Sequence, residues 1–404
     1  MYHFSSNKIK TETISLVSGS LIALLFLSGQ FTLSRVGGLD FNVGYILLFA
    51  AILWAFIIHH KVIIVKINKK DLINFIAILS LPILIALTSL WSLDVSHASS
   101  KLHDLFFICI YMIFSFLIIS RDPDSIKFIV YTFLLFALAY SLLALVHLTF
   151  FGASRGTIQI GGPNVATRVM FFGVIASLFL YSKNKSSLLF FSIIIIFAGI
   201  IAIGSRGGIV AAFFSLLLFL SIQTVNHIMK RIVVPRLILI NFWHARLSLL
   251  GSIKFLSLSA LIVILSKLVL AVFESRVVNL LINRLHYAGR DRIYENFILI
   301  FLDNPTFGVG LGGHASYGWS YYPHNLFIEL AVDGGVFLLF LSILYFSLVF
   351  VIFKKKWKNG KYFSIAAIYV LVAQQFSGGY FDFRYFFLFS MLAVLYRPVS
   401  WRLP

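Results

Sequence analysis

The hydrophobic pattern of the chain consists of long apolar runs separated by short polar gaps. Twelve runs approach or exceed the roughly 17 to 25 residues that a helix needs to cross a bilayer. They cover approximately 13–29, 42–60, 72–92, 104–120, 126–149, 166–182, 188–204, 207–224, 254–273, 325–353, 361–378 and 385–397. The pattern predicts an all-α, polytopic integral membrane protein in which residues 1–404 form a single transmembrane domain of about twelve helices.

The composition agrees with a membrane protein surrounded by lipid. Hydrophobic residues make up 60% of the chain and charged residues only 12%, whereas soluble domains are about a quarter charged. The net charge of +19 would suggest nucleic-acid binding in a soluble chain. Here the basic residues lie in gaps between apolar runs, so no nucleic-acid partner is expected. The single cysteine, Cys109, excludes an intrachain disulfide and a cysteine-based metal site.

The basic residues divide between the two sides of the membrane. Of the 33 lysines and arginines, 22 lie in alternate gaps on the side of the N-terminus, and sixteen of these are lysine. Gaps rich in Lys and Arg stay in the cytoplasm, so both termini are predicted to be cytoplasmic. The remaining eleven comprise Lys101, Lys267 and nine arginines, which are Arg35, Arg155, Arg168, Arg206, Arg276, Arg284, Arg290, Arg292 and Arg384.

The arginine-rich outer face predicts an anion site, because a guanidinium binds phosphate or carboxylate through two parallel hydrogen bonds. The alternative is that arginine tolerates the interface and extends outward to water. Two gaps are unusually long. Residues 274–324, between the ninth and tenth runs, are predicted to be an outer catalytic loop with short helices. Residues 225–253 are basic with interleaved apolar positions, and they predict a cytoplasmic segment at the membrane surface.

The outer loop contains a predicted helix that begins near Arg290 and that an Asn-Pro pair ends. Arg290 and Tyr294 share a helical face, and backbone N–H groups of a first turn favour anions. Arg292 lies two residues further on. The alternative is a surface helix whose two arginines pair with Asp291 and Glu295.

A glycine-dense loop, residues 306–314, follows this helix and allows backbone to approach a ligand or, alternatively, another helix closely. Tyr321 and Tyr322 are typical of an interfacial belt, and they are also suited to stacking on sugar rings. His324 precedes a long apolar run and is able to take a proton from a hydroxyl near neutral pH. Its alternative role is to cap that helix together with Asn325.

Two further arginines stand in glycine-containing turns. Arg206 lies in the turn 204–208 between two apolar runs, where a lone guanidinium costs roughly 2.5 to 3.5 kcal/mol or needs a polar partner. It is therefore predicted to bind a ligand. Arg384 is a second candidate, although it could instead pair with Asp382. Residues 161–168 are read as a loop and helix cap.

Together these motifs resemble the superfamily of O-antigen ligases and O-antigen polymerases, which are bacterial envelope glycosyltransferases. The resemblance rests on Ser-Arg-Gly at Arg206, Gly-Arg-x-x-Ile-Tyr at 289–294, Asn-Pro-x-x-Gly-x-Gly at 304–310, and Tyr-Pro-His-Asn at 322–325 followed by Asp-Gly-Gly from Asp333. Ligases often carry a second histidine two residues before the His-Asn pair. Tyr322 occupies that position here, which favours a polymerase.

The resemblance implies inverting transfer of a glycan from undecaprenyl diphosphate on the periplasmic face of the bacterial inner membrane, without nucleotide, metal or other cofactor. Arginines would stabilise the leaving diphosphate, and a histidine would orient or deprotonate the acceptor hydroxyl. The implied catalytic residues are His324, Arg206 and Arg290. The implied substrate-binding residues are Arg292, Tyr294, Tyr321, Tyr322, Asn325 and Arg384, and no metal site is predicted.

Three functions stay open at this point. A polymerase would use a lipid-linked repeat unit as acceptor, with a chain-length regulator as a candidate partner. A ligase would use the lipid A core. A transporter or flippase also fits twelve spans, and Lys267 in the middle of a run favours it. However, the polar groups cluster on one face, whereas transporters usually place substrate groups near the bilayer midplane.

Overall fold

The computed structural model describes residues 2–28, 43–60, 68–150, 162–232 and 290–397, and the regular elements in these ranges are helices. The α-helices are α1 Tyr2–Leu27, α2 Val43–His60, α3 Lys69–Leu87, α4 Val95–Arg121, α5 Ser125–Phe150, α6 Pro163–Asn184, α7 Ser187–Ile203, α8 Arg206–Ile232, α9 Arg290–Asp303, α10 Leu326–Ala373 and α11 Arg384–Leu395. Short 3-10 helices cover Thr88–Trp91, Gly313–Tyr317 and Tyr380–Phe383.

Six helical stretches in the described ranges are long and apolar enough to cross a membrane. They are Lys69–Trp91, Val95–Arg121, Ser125–His147, Pro163–Asn184, Arg206–Thr224 and Leu326–Ala373. Shorter apolar helices cover Glu12–Leu27, Val43–Ile57 and Ser187–Ile203. The all-α prediction is confirmed for these ranges, and the apolar helices are those expected of a membrane protein. The predicted run 254–273, with Lys267, lies outside the described residues, as do the parts of 225–253 after Ile232 and of 274–324 before Arg290.

The chain divides into two compact units. The first comprises Met1–Leu216 with Asn296–Pro404, and the second comprises Leu217–Glu295. Within the first unit, helix α6 is buried along most of its length, as is α11. Helix α11 corresponds to the short predicted run 385–397. Although it has only 12 residues, it is surrounded by other parts of the protein on all sides.

Helix α10 folds back on itself. A straight helix of its 48 residues would be about 72 Å long, yet the backbone N–H of Leu326 donates to the carbonyl of Gln374 at 3.2 Å. Beside the start of α11, the Gln374 amide donates to the Gly379 carbonyl at 2.6 Å. Beside its far end, the rings of Phe363 and Tyr396 are 5.6 Å apart. The chain also reverses at Gly335, which is non-helical, because the rings of Phe327 and Phe346 on either side of it are only 5.9 Å apart. The predicted run 325–353 is therefore not one straight helix.

The glycine-dense loop packs closely against the backbone of other segments. Gly308 has φ 65° and a Cβ atom there would lie 2.3 Å from the Val332 carbonyl oxygen. Gly335 is a non-helical residue inside α10 with φ 63°, and a Cβ atom there would lie 2.3 Å from the Thr306 carbonyl oxygen. Only glycine fits such contacts at positive φ. Close packing, the alternative to ligand binding, is thus what this loop does in the structure.

The two ends of helix α3 differ in character. Near its start, the buried Asp71 is 2.5 Å from Nη2 of Arg397 and 3.5 Å from Nζ of Lys356. Beyond its other end, the Trp91 indole N–H donates to the Phe307 carbonyl at 2.8 Å. We call these the Asp71 end and the glycine-loop end. Lys356 and Arg397, both predicted to be cytoplasmic, meet at the first end, and Phe307, in the segment predicted to be the outer loop, contacts the second.

We expect Asp71→Asn to lower the free energy of unfolding by about 1.5 to 3 kcal/mol, because a buried carboxylate loses its charge-assisted bonds to Arg397 and Lys356. A melting curve of the purified protein in detergent measures the change. Asp124→Asn is the matched control, since the Asp124 side chain is exposed and has no hydrogen bond or ion pair with the described residues. Equal melting temperatures for both variants would contradict the role of the Asp71 ion pairs.

Candidate functional site

A polar cavity of about 390 Å³ lies at the glycine-loop end of the first unit. Its volume is within the range of about 300 to 1,000 Å³ that is usual for ligand sites. The polar side chains in its wall include Lys101 and Asp104 from α4, Asn164 from the start of α6, Tyr322 from the loop before α10, Glu329 from α10, and Asp382 from the last 3-10 helix. Residues from five segments that are far apart in the chain therefore meet around one space.

Lys101 is the centre of a buried ionic cluster in the cavity wall. Its Nζ is 2.9 Å from Oε1 of Glu329 and 3.6 Å from Oδ2 of Asp333. The two carboxylates are one helical turn apart on α10, and both are almost completely buried. A single lysine therefore serves two carboxylates. Oε2 of Glu329 has no hydrogen-bond partner within the described part of the chain.

Two further hydrogen bonds hold Asp333 from behind, and His314 lies beside it. The Tyr380 hydroxyl donates to Oδ2 at 3.0 Å, the Gly312 N–H donates to Oδ1 at 3.2 Å, and Nδ1 of His314 is 3.5 Å from Oδ1. Burial lowers the pKa of His314 below its ordinary value, so the imidazole is neutral at pH 7. Burial raises the pKa of Tyr380 well above its usual value, so its hydroxyl keeps the proton that it donates.

Arg384 is buried and bound by groups of the protein. Only 1% of the residue is exposed, its Nε donates to the Phe26 carbonyl, and its Nη1 donates to the Phe381 carbonyl, both at 2.8 Å. Asp382 lies between Nη1 of Arg384, at 3.6 Å, and Nη1 of Arg168, at 3.3 Å. The Asp382–Arg384 pair considered as the alternative is present. These contacts favour a structural role over the predicted substrate binding.

Arg206 is exposed beside the cavity wall. It is the first residue of α8, and the Ser205 hydroxyl directly before it donates to Oδ1 of Asn164 at 2.5 Å. The N–H of Gly208 donates to the same hydroxyl, which caps the helix, while Gly204 ends α7 with φ 67°. The Arg206 guanidinium has no hydrogen bond or ion pair with the residues that the structure describes. The predicted tight turn therefore presents one cation, at a helix N-terminus, next to the cavity.

The predicted site residues in the loop before α10 lie in different environments. Tyr322 lines the cavity, whereas Tyr321 is 70% exposed. The His324 ring stands edge-on to the Tyr322 ring, with 4.4 Å between the ring centroids. The φ angle of His324 is 58°, and no other non-glycine residue in the described ranges has a positive φ. Oδ1 of Asn325 accepts from two N–H groups in the first turn of α10, so this residue is the helix cap.

Arg290, Arg292 and Tyr294 belong to the second unit. Helix α9 begins at Arg290 and ends at Asp303, as the sequence predicts. Arg292 is exposed, and Arg290 and Tyr294 are half-buried. Their roles in substrate binding stay predictions.

Lys101, Asp104, Glu329 and Asp333 are not among the candidate site residues that the sequence predicts. One signal for them was present, since each is an ionisable residue in or beside an apolar run, which by default suggests function or a buried partner. Their pairing was not visible, because Lys101 and Glu329 are 228 residues apart.

Within the described ranges, no three His, Cys, Asp or Glu side chains are grouped so as to hold a metal ion. The expectation that no metal or other cofactor is needed stays a prediction. Comparison of the chain with protein-family models and with curated proteins finds no match. The family resemblance therefore remains a prediction that rests on the motifs, and the site geometry stands independently of it.

Proposed function

We propose that the protein is a bacterial membrane glycosyltransferase of the O-antigen polymerase type. It transfers a glycan from undecaprenyl diphosphate to a lipid-linked repeat unit, with inversion and without nucleotide or metal. The observation that supports this is the polar cavity beside Arg206 at one end of a set of apolar helices. The cavity presents carboxylates and an amide to hydroxyl groups, and Arg206 presents a cation to a phosphate.

The leaving group in this reaction is a lipid diphosphate, on which negative charge develops in the transition state. Arg206 suits this charge because its guanidinium is exposed and it starts a helix, where backbone N–H groups also favour anions. Each charge-assisted contact would stabilise the charge by about 1.5 to 3 kcal/mol. The diphosphate-binding roles of Arg290 and Arg292 stay predictions that the resemblance implies.

The acceptor hydroxyl must lose its proton as it attacks the anomeric carbon. His324 takes this proton, the bond between the anomeric carbon and the phosphate oxygen breaks, and the new glycosidic bond forms on the opposite face of the sugar. Undecaprenyl diphosphate leaves with the bonding electrons. The edge-on contact with Tyr322 and the positive φ of His324 support this role, because strained conformations are concentrated at functional sites.

The proposed location is the bacterial inner membrane, with the cavity on the periplasmic face and both termini in the cytoplasm. The meeting of Lys356 and Arg397 at the Asp71 end supports this orientation, because basic residues stay on the cytoplasmic side. Arg168 lies at the opposite end. A chain-length regulator is a candidate partner of such a polymerase.

Deletion of the gene, followed by gel analysis of lipopolysaccharide, tests the proposed function. We expect core carrying a single repeat unit, and restoration of the ladder by the wild-type chain on a plasmid. Bare core with polymer left on its lipid carrier would instead assign the protein as a ligase. A full ladder in the deletion strain would refute both. Elongation of a lipid-linked glycan by the purified protein in detergent would exclude transport as its main role.

A further inference from the structure

Two carboxylates in the cavity wall have oxygen atoms without a hydrogen-bond partner among the described residues. Glu329 is 1% exposed, and while its Oε1 binds Lys101, its Oε2 has no hydrogen-bond partner in the described residues. A buried acceptor without a partner is costly. Asp104, in the same wall, has no hydrogen bond or ion pair with the described part of the chain. Both side chains are therefore suited to accept hydrogen bonds from a ligand.

The charges of the wall argue against a phosphate in the cavity. Lys101, the lysine of the lining, is engaged by Glu329 and Asp333. Asp382 is paired with the arginines behind it. Among the described residues, the wall and the groups directly behind it carry four carboxylates, those of Asp104, Glu329, Asp333 and Asp382, against three cations, each of which is already engaged by a carboxylate. An anion would be repelled, so the ligand is a hydrogen-bond donor without negative charge.

The remaining wall is typical of a site for a polyhydroxylated ring. Tyr322, Tyr380 and Phe381 contribute aromatic surface, and Asn164 contributes an amide. Aromatic faces with a few fixed polar groups orient a small ligand.

We propose that the cavity binds one sugar residue of the acceptor glycan, with Glu329 and Asp104 accepting hydrogen bonds from its hydroxyl groups. The assignment to a glycan rests on the proposed function. The acceptor is favoured over the donor because the reacting sugar of the donor is bonded to the diphosphate, which the acidic wall would repel. The reacting sugar of the acceptor carries its hydroxyl at the end remote from its own diphosphate. The saccharide site in the cavity and the diphosphate site proposed at Arg206 are therefore distinct.

The test measures binding to the purified full chain in detergent. One probe is the repeat-unit oligosaccharide released from the lipid-linked precursors of the producing cells and freed of phosphate, and the other is undecaprenyl diphosphate. We expect Glu329→Gln and Asp104→Asn each to raise the Kd for the oligosaccharide about tenfold or more. Binding of undecaprenyl diphosphate should stay unchanged. Asp71→Asn is the matched control, because it removes a buried, ion-paired carboxylate at the opposite end and should leave the Kd for the oligosaccharide unchanged.

Asp104→Asn keeps the proposal testable if Glu329→Gln does not fold, since Asp104 has no ion pair to lose. Wild-type protein that binds no oligosaccharide would overturn the proposal, as would an unchanged Kd in both cavity variants or an equal loss in Asp71→Asn. Equal weakening of both probes would overturn the separation of the two sites. Because binding is measured without transfer, a protein that binds the oligosaccharide but whose deletion leaves the ladder intact would refute the polymerase assignment alone.

Discussion

Arg206→Ala is expected to lower kcat/KM for glycan transfer about tenfold to a hundredfold or more without loss of folded protein. The guanidinium is exposed and makes no hydrogen bond or ion pair with the described residues, so its removal costs little stability. Its loss from a developing diphosphate charge costs about 1.5 to 3 kcal/mol, and about 1.4 kcal/mol corresponds to a decade in rate. Transfer between lipid-linked repeat units by the purified protein measures the effect.

Arg121→Ala is the matched control for Arg206→Ala. Arg121 ends helix α4 and makes no hydrogen bond or ion pair with the residues that the structure covers, so near wild-type transfer is expected. Arg206→Lys should recover part of the rate, because lysine supplies the charge but not the two-pronged geometry. Arg290→Ala and His324→Ala are expected to reduce transfer strongly as well. Wild-type rates in all three alanine variants would refute the site assignment.

Lys101→Met is expected to destabilise the protein by about 3 to 5 kcal/mol, the largest stability effect that we predict. The substitution leaves Glu329 and Asp333 buried without the cation that serves both. Breaking one side of a buried ionic cluster is costly because the remaining charges stay desolvated. The melting temperature in detergent, or the yield of monodisperse protein, measures the loss.

Neutralising the partners should reverse much of this loss. In the triple variant Lys101→Met, Glu329→Gln, Asp333→Asn the cluster carries no charge, and replacement of a buried ionic group by neutral residues is often tolerated. We expect a melting temperature well above that of Lys101→Met alone. A triple variant no more stable than the single one would show that packing, rather than charge, explains the effect.

Much of the helical layout was predictable from the sequence. The runs near 72–92, 104–120, 126–149 and 166–182 correspond to α3 with its 3-10 extension, α4, α5 and α6. An apolar run of this length forms a helix because a helix satisfies all its backbone hydrogen bonds within the segment, without water. The start of α9 at Arg290 was also predicted, from local composition and helical periodicity. Both signals are local, so neighbouring residues are sufficient to produce them.

The roles of individual charged residues were much less predictable. Arg384 and Arg206 both follow glycine-containing segments, yet Arg384 is enclosed by carbonyl groups and Asp382, whereas Arg206 is exposed. The glycine-dense loop could serve either a ligand or a neighbouring backbone, and it contacts Val332. These outcomes depend on which distant segment packs alongside.

Local hydrophobicity and charge therefore determined that the chain is an all-α protein of membrane type, where most helices begin and end, and that Arg206 stands in a turn. The tertiary structure alone decided that α10 folds back, that Lys101 meets Glu329 and Asp333, and that a cavity forms around them. The physical reason is the separation along the chain over which each interaction acts. Burial of an apolar run depends on its own residues, whereas the partner of a buried charge is set by contacts between segments that are hundreds of residues apart.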